Sequence, residues 1–150
     1  MRNIKFWAEL SKCIVKMLDS KEYKEEYSTL LIINCAFSVI SYVNQTGYKY
    51  VPPTLIKDSE DWGIEQGQVS FPVGDQVKLK DVIRHIRNSV NHNLAEIIYD
   101  NTGQISYLKF IDCDKKHIKT FEAKIPVNNL KKFSFQLLDT VIKGMEAKMP

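Results

Sequence analysis

The stretch "LKDVIRHIRNSVNHNLAEIIYDNTGQISYLKFID" (79–112) changes its hydrophobic period part-way along. Up to residue 92 the apolar side chains Leu79, Val82, Ile83, Ile86 and Val90 recur at three- and four-residue spacing, which predicts a helix beginning between Asp75 and Leu79 and ending near His92 or Asn93. Beyond it, "AEIIYD" and "ISYLKFID" are rich in β-branched and aromatic residues and are separated by "NTGQ", whose residues tolerate positive φ. That pattern predicts a β-hairpin.

Outward from this stretch, "IKTFEAKI" (118–125) reads as a third strand that completes a meander and is stopped by Pro126. "VNNLKKFSFQLLDTVIKGM" then carries Val127, Leu130, Phe133, Leu137, Val141 and Met145 on one helical stripe. Towards the N-terminus, Trp7, Leu10, Ile14, Met17 and Leu18 predict a helix over about residues 3–18. A second helix, capped by Asp19 or Ser20, runs through the apolar block "LLIINCAFSVISYV" (30–43) and ends before Gly47. That block is apolar nearly all round, which predicts a central position or a partner. Residues 46–77 hold Pro52, Pro53, Pro72, Gly47, Gly63, Gly67 and Gly74, so an irregular surface insertion packed by Trp62 and Phe71 is expected, with room for a short helix near "TLIKDSEDW". The expected fold class is mainly α: a bundle of about four main helices with a small antiparallel meander inserted before the last, forming one domain over 1–150.

Composition narrows the function classes. The 150 residues are 44% hydrophobic and 26% charged, ordinary for a globular protein. A net charge of +3 without a long Lys/Arg run permits an anionic partner without demanding one. Three scattered cysteines, Cys13, Cys35 and Cys113, fit a reducing compartment better than a disulfide framework. The apolar block at 30–43 is too short to span a bilayer. A cytoplasmic soluble protein without a membrane partner is the expectation.

The central helix holds the chemistry. On a helical wheel Arg84, His85, Arg87, Asn88, Asn91 and His92 fill one arc of roughly 160°, opposite the apolar face. Glu is absent between residues 84 and 93, and so is Lys. An arginine fork suits phosphate oxygens, imidazole exchanges protons near neutrality, and asparagine positions its neighbours. Phosphodiester cleavage at a ribose needs those three properties, and the internal 2′-hydroxyl nucleophile makes a metal unnecessary. Arg87 and His92 diverge by about 140° on a straight helix, so two copies facing each other across a two-fold axis would best bring such groups into one cleft.

"RNSVNH" (87–92) resembles the signature of HEPN-domain proteins, an Arg followed after four to six residues by His. The wider segment 77–145 is similar to one branch of HEPN nucleases, in which the motif helix is followed by a β-hairpin and a closing amphipathic helix. The resemblance implies a helical dimer with a composite, cofactor-free and metal-independent RNA-cleaving site. Arg87 and His92 would be its catalytic pair and Asn88 the residue orienting them. Arg84 would assist in phosphate binding, and Asn91, inside the spacer, would line the cleft. It also implies a toxin–antitoxin or phage-defence setting, with an antitoxin protein as a further partner. Some members of the family only bind, so a non-catalytic module for RNA, a nucleotide or an antitoxin is the alternative.

Other patterns are read as structural. Asp112, Cys113, Asp114 and His117 resemble a metal cluster faintly but crowd a turn between strands. His85 reads as a surface or interface residue. The meander's aromatics offer a base-stacking platform, yet alternation of this kind more often marks a core face.

Overall fold

The computed structural model describes residues 25–71 and 77–147. Helix α1 spans Glu25–Tyr42, widens into a π turn at Val43–Gly47 and then tightens into a 3-10 turn at Tyr48–Tyr50. Three more 3-10 turns, Ile56–Asp58, Glu60–Trp62 and Gln66–Gln68, lead to the two-residue strand β1, Val69–Ser70. Helix α2 covers Leu79–Asn91, and strands β2 (Ala95–Tyr99), β3 (Ile105–Cys113) and β4 (Lys119–Pro126) follow. Helix α3, Val127–Glu146, closes the described chain.

The expected bundle of about four helices is corrected here. Among the described residues there are three α-helices and a four-stranded antiparallel sheet in the order β1-β4-β3-β2. The helix expected over 3–18 lies outside the described residues. The sheet is a full layer of the core rather than an appendage. Leu108, Phe110 and Asp112 of β3 stand opposite Ile125, Ala123 and Phe121 of β4, and all six are buried. Helices contribute Ile33, Ile40, Ile83, Ile86, Leu130 and Phe133 to the same cluster. Burying such large side chains is each worth about 1.5–3 kcal/mol, which is why the sheet cannot be peripheral.

The insertion, expected at the surface, joins the core instead. Val51, Ile56, Trp62 and Ile64 are buried, and the Trp62 ring lies 6.4 Å from that of Phe133. Near "TLIKDSEDW" two 3-10 turns replace the short helix considered. β1 pairs Val69 with Ala123 and Ser70 with Glu122, so the insertion supplies a sheet edge.

Local chemistry fixes the hairpin joining β2 and β3. Asp100 accepts the Thr102 hydroxyl at 2.6 Å and the Thr102 and Gln104 amides at 2.8 and 3.0 Å. Gly103 takes φ +82°, a left-handed conformation that costs glycine nothing. On the sheet's outer face the Lys124 ammonium sits 4.2 Å over the Tyr107 ring, while Phe110 and Phe121 are buried inside. No helix among the described residues is long and apolar enough to cross a membrane.

Candidate functional site

α2 is held at both ends. At its start, the Leu79 amide donates to Thr54 O at 2.9 Å and the Ile56 amide to Val77 O at 2.8 Å. At its finish, Asn93 adopts φ +57°, the Asn93 amide donates to Val90 O and the Leu94 amide to Ser89 O. This is a Schellman closure, and it explains one asparagine of the 84–93 run: Asn tolerates the left-handed position better than most residues. Buried Ser89 then accepts the Ile111 amide through its hydroxyl at 3.0 Å, stitching the helix to β3.

The apolar face is as expected: Leu79, Val82, Ile83 and Ile86 are fully buried and Val90 partly so. The polar arc is not uniform. Arg84, Asn91 and His92 are exposed, while Arg87 and Asn88 are half-buried. His85, expected at the surface or an interface, is instead packed inward, with its side chain 12% exposed. Its imidazole stacks on Phe121 (centroids 4.9 Å, planes 9° apart) and meets Phe71 edge-on at 5.3 Å.

The group that organises these residues is Asp112, which is 5% exposed. Its Oδ2 accepts His85 Nδ1 at 2.7 Å and Asn88 Nδ2 at 3.0 Å, and its Oδ1 accepts the Cys113 amide at 2.9 Å. A carboxylate only accepts and a guanidinium only donates, so the Asn88 amide has one orientation. Its nitrogen faces Asp112 and its oxygen accepts Arg87 Nη1 at 3.2 Å. Arg84 Nη2 lies 3.3 Å from Asp81 Oδ1 and 3.4 Å from His85 Nε2. Nearby, burial and the Asp81 carboxylate push the Tyr48 phenol up, against a smaller opposing pull from Arg84, and its hydroxyl donates to Lys80 O.

The structure therefore brings Arg87 and Asn88 together, with Arg84 beside His85. It does not bring Arg87 and His92 into contact within one chain. His92 is the C-cap residue, its amide donating to Asn88 O at 2.9 Å. Among the described residues neither its side chain nor that of Asn91 makes a hydrogen bond. Asp112, His85 and Ser89 were missed in the sequence. Two signals pointed to the first pair: Asp112 shares the inward parity of Leu108 and Phe110, and His85 borders the apolar arc.

The Asp112–Cys113–Asp114–His117 segment is the end of β3 and the turn after it, not a ligand set. Asp114 Oδ1 accepts the Lys116 and Ile118 amides, and Asp112 faces α2. Among the described residues no group of three or more His, Cys, Asp or Glu side chains is placed to hold a metal ion.

A family model described as HEPN pEK499 p136 matches residues 2–148. The chain belongs to this HEPN family. No curated protein and no solved structure matches it. In this HEPN chain the Arg-to-His motif thus begins inside α2 at Arg87 and ends at the helix cap, His92, with Asn88 bonded to both ends.

Proposed function

We propose that this HEPN chain is a metal-independent endoribonuclease acting as a homodimer. The 2′-hydroxyl attacks the adjacent phosphorus, the 5′-oxygen leaves, and a cyclic phosphate remains. Arg87 binds the scissile phosphate and stabilises the charge that develops on it. His92 carries a proton as general base or acid. Asn88 positions them, and Arg84 and Asn91 contact the substrate. The observation that supports this reading is the Asn88 side chain, which holds the Arg87 guanidinium at 3.2 Å and is itself held by Asp112 at 3.0 Å. A toxin–antitoxin or phage-defence setting, with an antitoxin as regulator, accords with the family.

The test is RNA cleavage in EDTA by the wild type and by His92→Ala. Losing a general acid or base lowers the rate about 10²–10⁴-fold. DNA, without a 2′-hydroxyl, survives. Equal rates for the two proteins refute the role of His92.

One observation favours a second reading, a non-catalytic module that binds RNA, a nucleotide or an antitoxin: within a single chain Arg87 and His92 do not meet. That reading requires salt-sensitive binding and no cleavage at any enzyme concentration.

A further inference from the structure

We infer that His85, aligned by Asp112, is a second proton-transfer residue of this site, the base that activates the ribose 2′-hydroxyl. The inference rests on the ribonuclease reading above. Transesterification at a ribose needs a base for the 2′-hydroxyl and an acid for the departing 5′-oxygen, and the Arg-to-His motif contains one histidine.

His85 has what His92 lacks, a group that orients its ring. Asp112 Oδ2 lies 2.7 Å from His85 Nδ1 and can only accept, so Nδ1 carries the proton. Arg84 Nη2 lies 3.4 Å from Nε2 and can only donate, so Nε2 presents a lone pair. The two neighbours thus place a proton on Nδ1 and leave Nε2, turned away from Asp112, as the nitrogen that accepts. Phe121 beneath the ring and Phe71 at its edge hold that orientation. A carboxylate that fixes an imidazole's tautomer and direction is the arrangement general-base catalysis uses in Ser-His-Asp hydrolases.

The placement also fits. Residues seven apart on a helix lie two turns apart and on the same side, about 10 Å along the axis, which sets His85 and His92 along one face with Asn88 between them. Arg84, exposed, moves from Nε2 to the incoming phosphate. The 2′-oxygen then gives its proton to His85 Nε2 as the new P–O2′ bond forms. The P–O5′ bond breaks, and the 5′-oxygen takes a proton from the imidazolium of His92. Exchange with water restores both rings.

The experiment has two arms. Nitrogen-15 NMR of histidine-labelled wild-type protein reads the His85 tautomer directly. Cleavage kinetics across pH compare the wild type, His85→Gln and His92→Ala, with circular dichroism as the folding control. We expect Nδ1 protonated and Nε2 free, a loss of about 10²–10⁴-fold in His85→Gln, and disappearance of the acidic limb of its pH–rate profile. A protonated Nε2 overturns the inference, whether or not the variant folds. So does a folded His85→Gln that cleaves at the wild-type rate, or one slowed equally at every pH. Wild-type protein that cleaves no RNA refutes the ribonuclease reading itself, and the inference with it.

Discussion

Asp112 on β3 and Asn88 on α2 share a 3.0 Å hydrogen bond that reaches from the buried face of the sheet to the motif helix. The same carboxylate oxygen receives His85, so one acidic side chain settles the orientation of two α2 residues. Replacing it by alanine leaves the His85 Nδ1–H, Asn88 and Cys113 donors without their acceptor. Stranding a buried polar group costs about 1–3 kcal/mol. Asp112→Ala should therefore lower the unfolding free energy read from urea denaturation by at least that amount, and a variant within about 0.5 kcal/mol of wild type would show that the network carries no stability.

Gly144 lies in the last turns of α3, where glycine-to-alanine changes ordinarily stabilise by about 1 kcal/mol. Here the outcome reverses. A Cβ at 144 would sit 2.6 Å from Tyr50 Cδ1 and 3.0 Å from Tyr50 Cβ. Because the second atom is close to the backbone, the tyrosine cannot simply swing aside. Overpacking of this kind costs about 1–3 kcal/mol, enough to outweigh the propensity gain. Thermal unfolding of Gly144→Ala should show a lower midpoint than wild type; a higher one would mean the 3-10 turn at Tyr48–Tyr50 yields freely.

How much of this could be read from the sequence depends on the range of the interaction. α2, the three long strands and α3 were legible because their periods of 3.6 and 2 are carried by neighbours in the chain. β1 was not, since two residues carry no period and Val69 pairs with Ala123 across the fold. The sheet's weight in the core is not legible for a related reason: alternation in β3 and β4 says that one face is buried, but not that α2 and α3 pack on it. The site divides in the same way. The wheel separated the apolar from the polar arc, yet it could not say that the edge of the polar arc, His85, meets an aspartate 27 residues on.

The β2–β3 turn has a defined acid response. The Thr102 hydroxyl first, then the Gln104 and Thr102 amides, hold the Asp100 carboxyl below its usual range. A carboxyl lowered in the folded state adds stability above its unfolded value of about 3.9, and that contribution is lost as pH falls through the folded value. Asp100→Asn should thus be less stable than wild type at pH 7, and the gap should narrow as the pH drops below 4. Denaturant midpoints at several pH values read this directly, and a pH-independent gap would assign the effect to the turn's hydrogen bonds without their charge.

A composite site requires two chains. Because Arg87 and His92 diverge on α2, static light scattering at working concentration should report twice the chain mass. A monomer that still cleaves RNA would show that one chain holds a complete site, and would put the weight of proton transfer on His85.

The central claim is that the Arg87 guanidinium, held by Asn88, stabilises the phosphate charge during 2′-hydroxyl attack. Cleavage of a defined RNA in excess EDTA by wild type and Arg87→Ala tests it most directly. We expect wild-type fragments ending in a cyclic phosphate and a rate about 10²–10³-fold lower in the variant. Equal rates, or no cleavage by the wild type on any RNA, would contradict it.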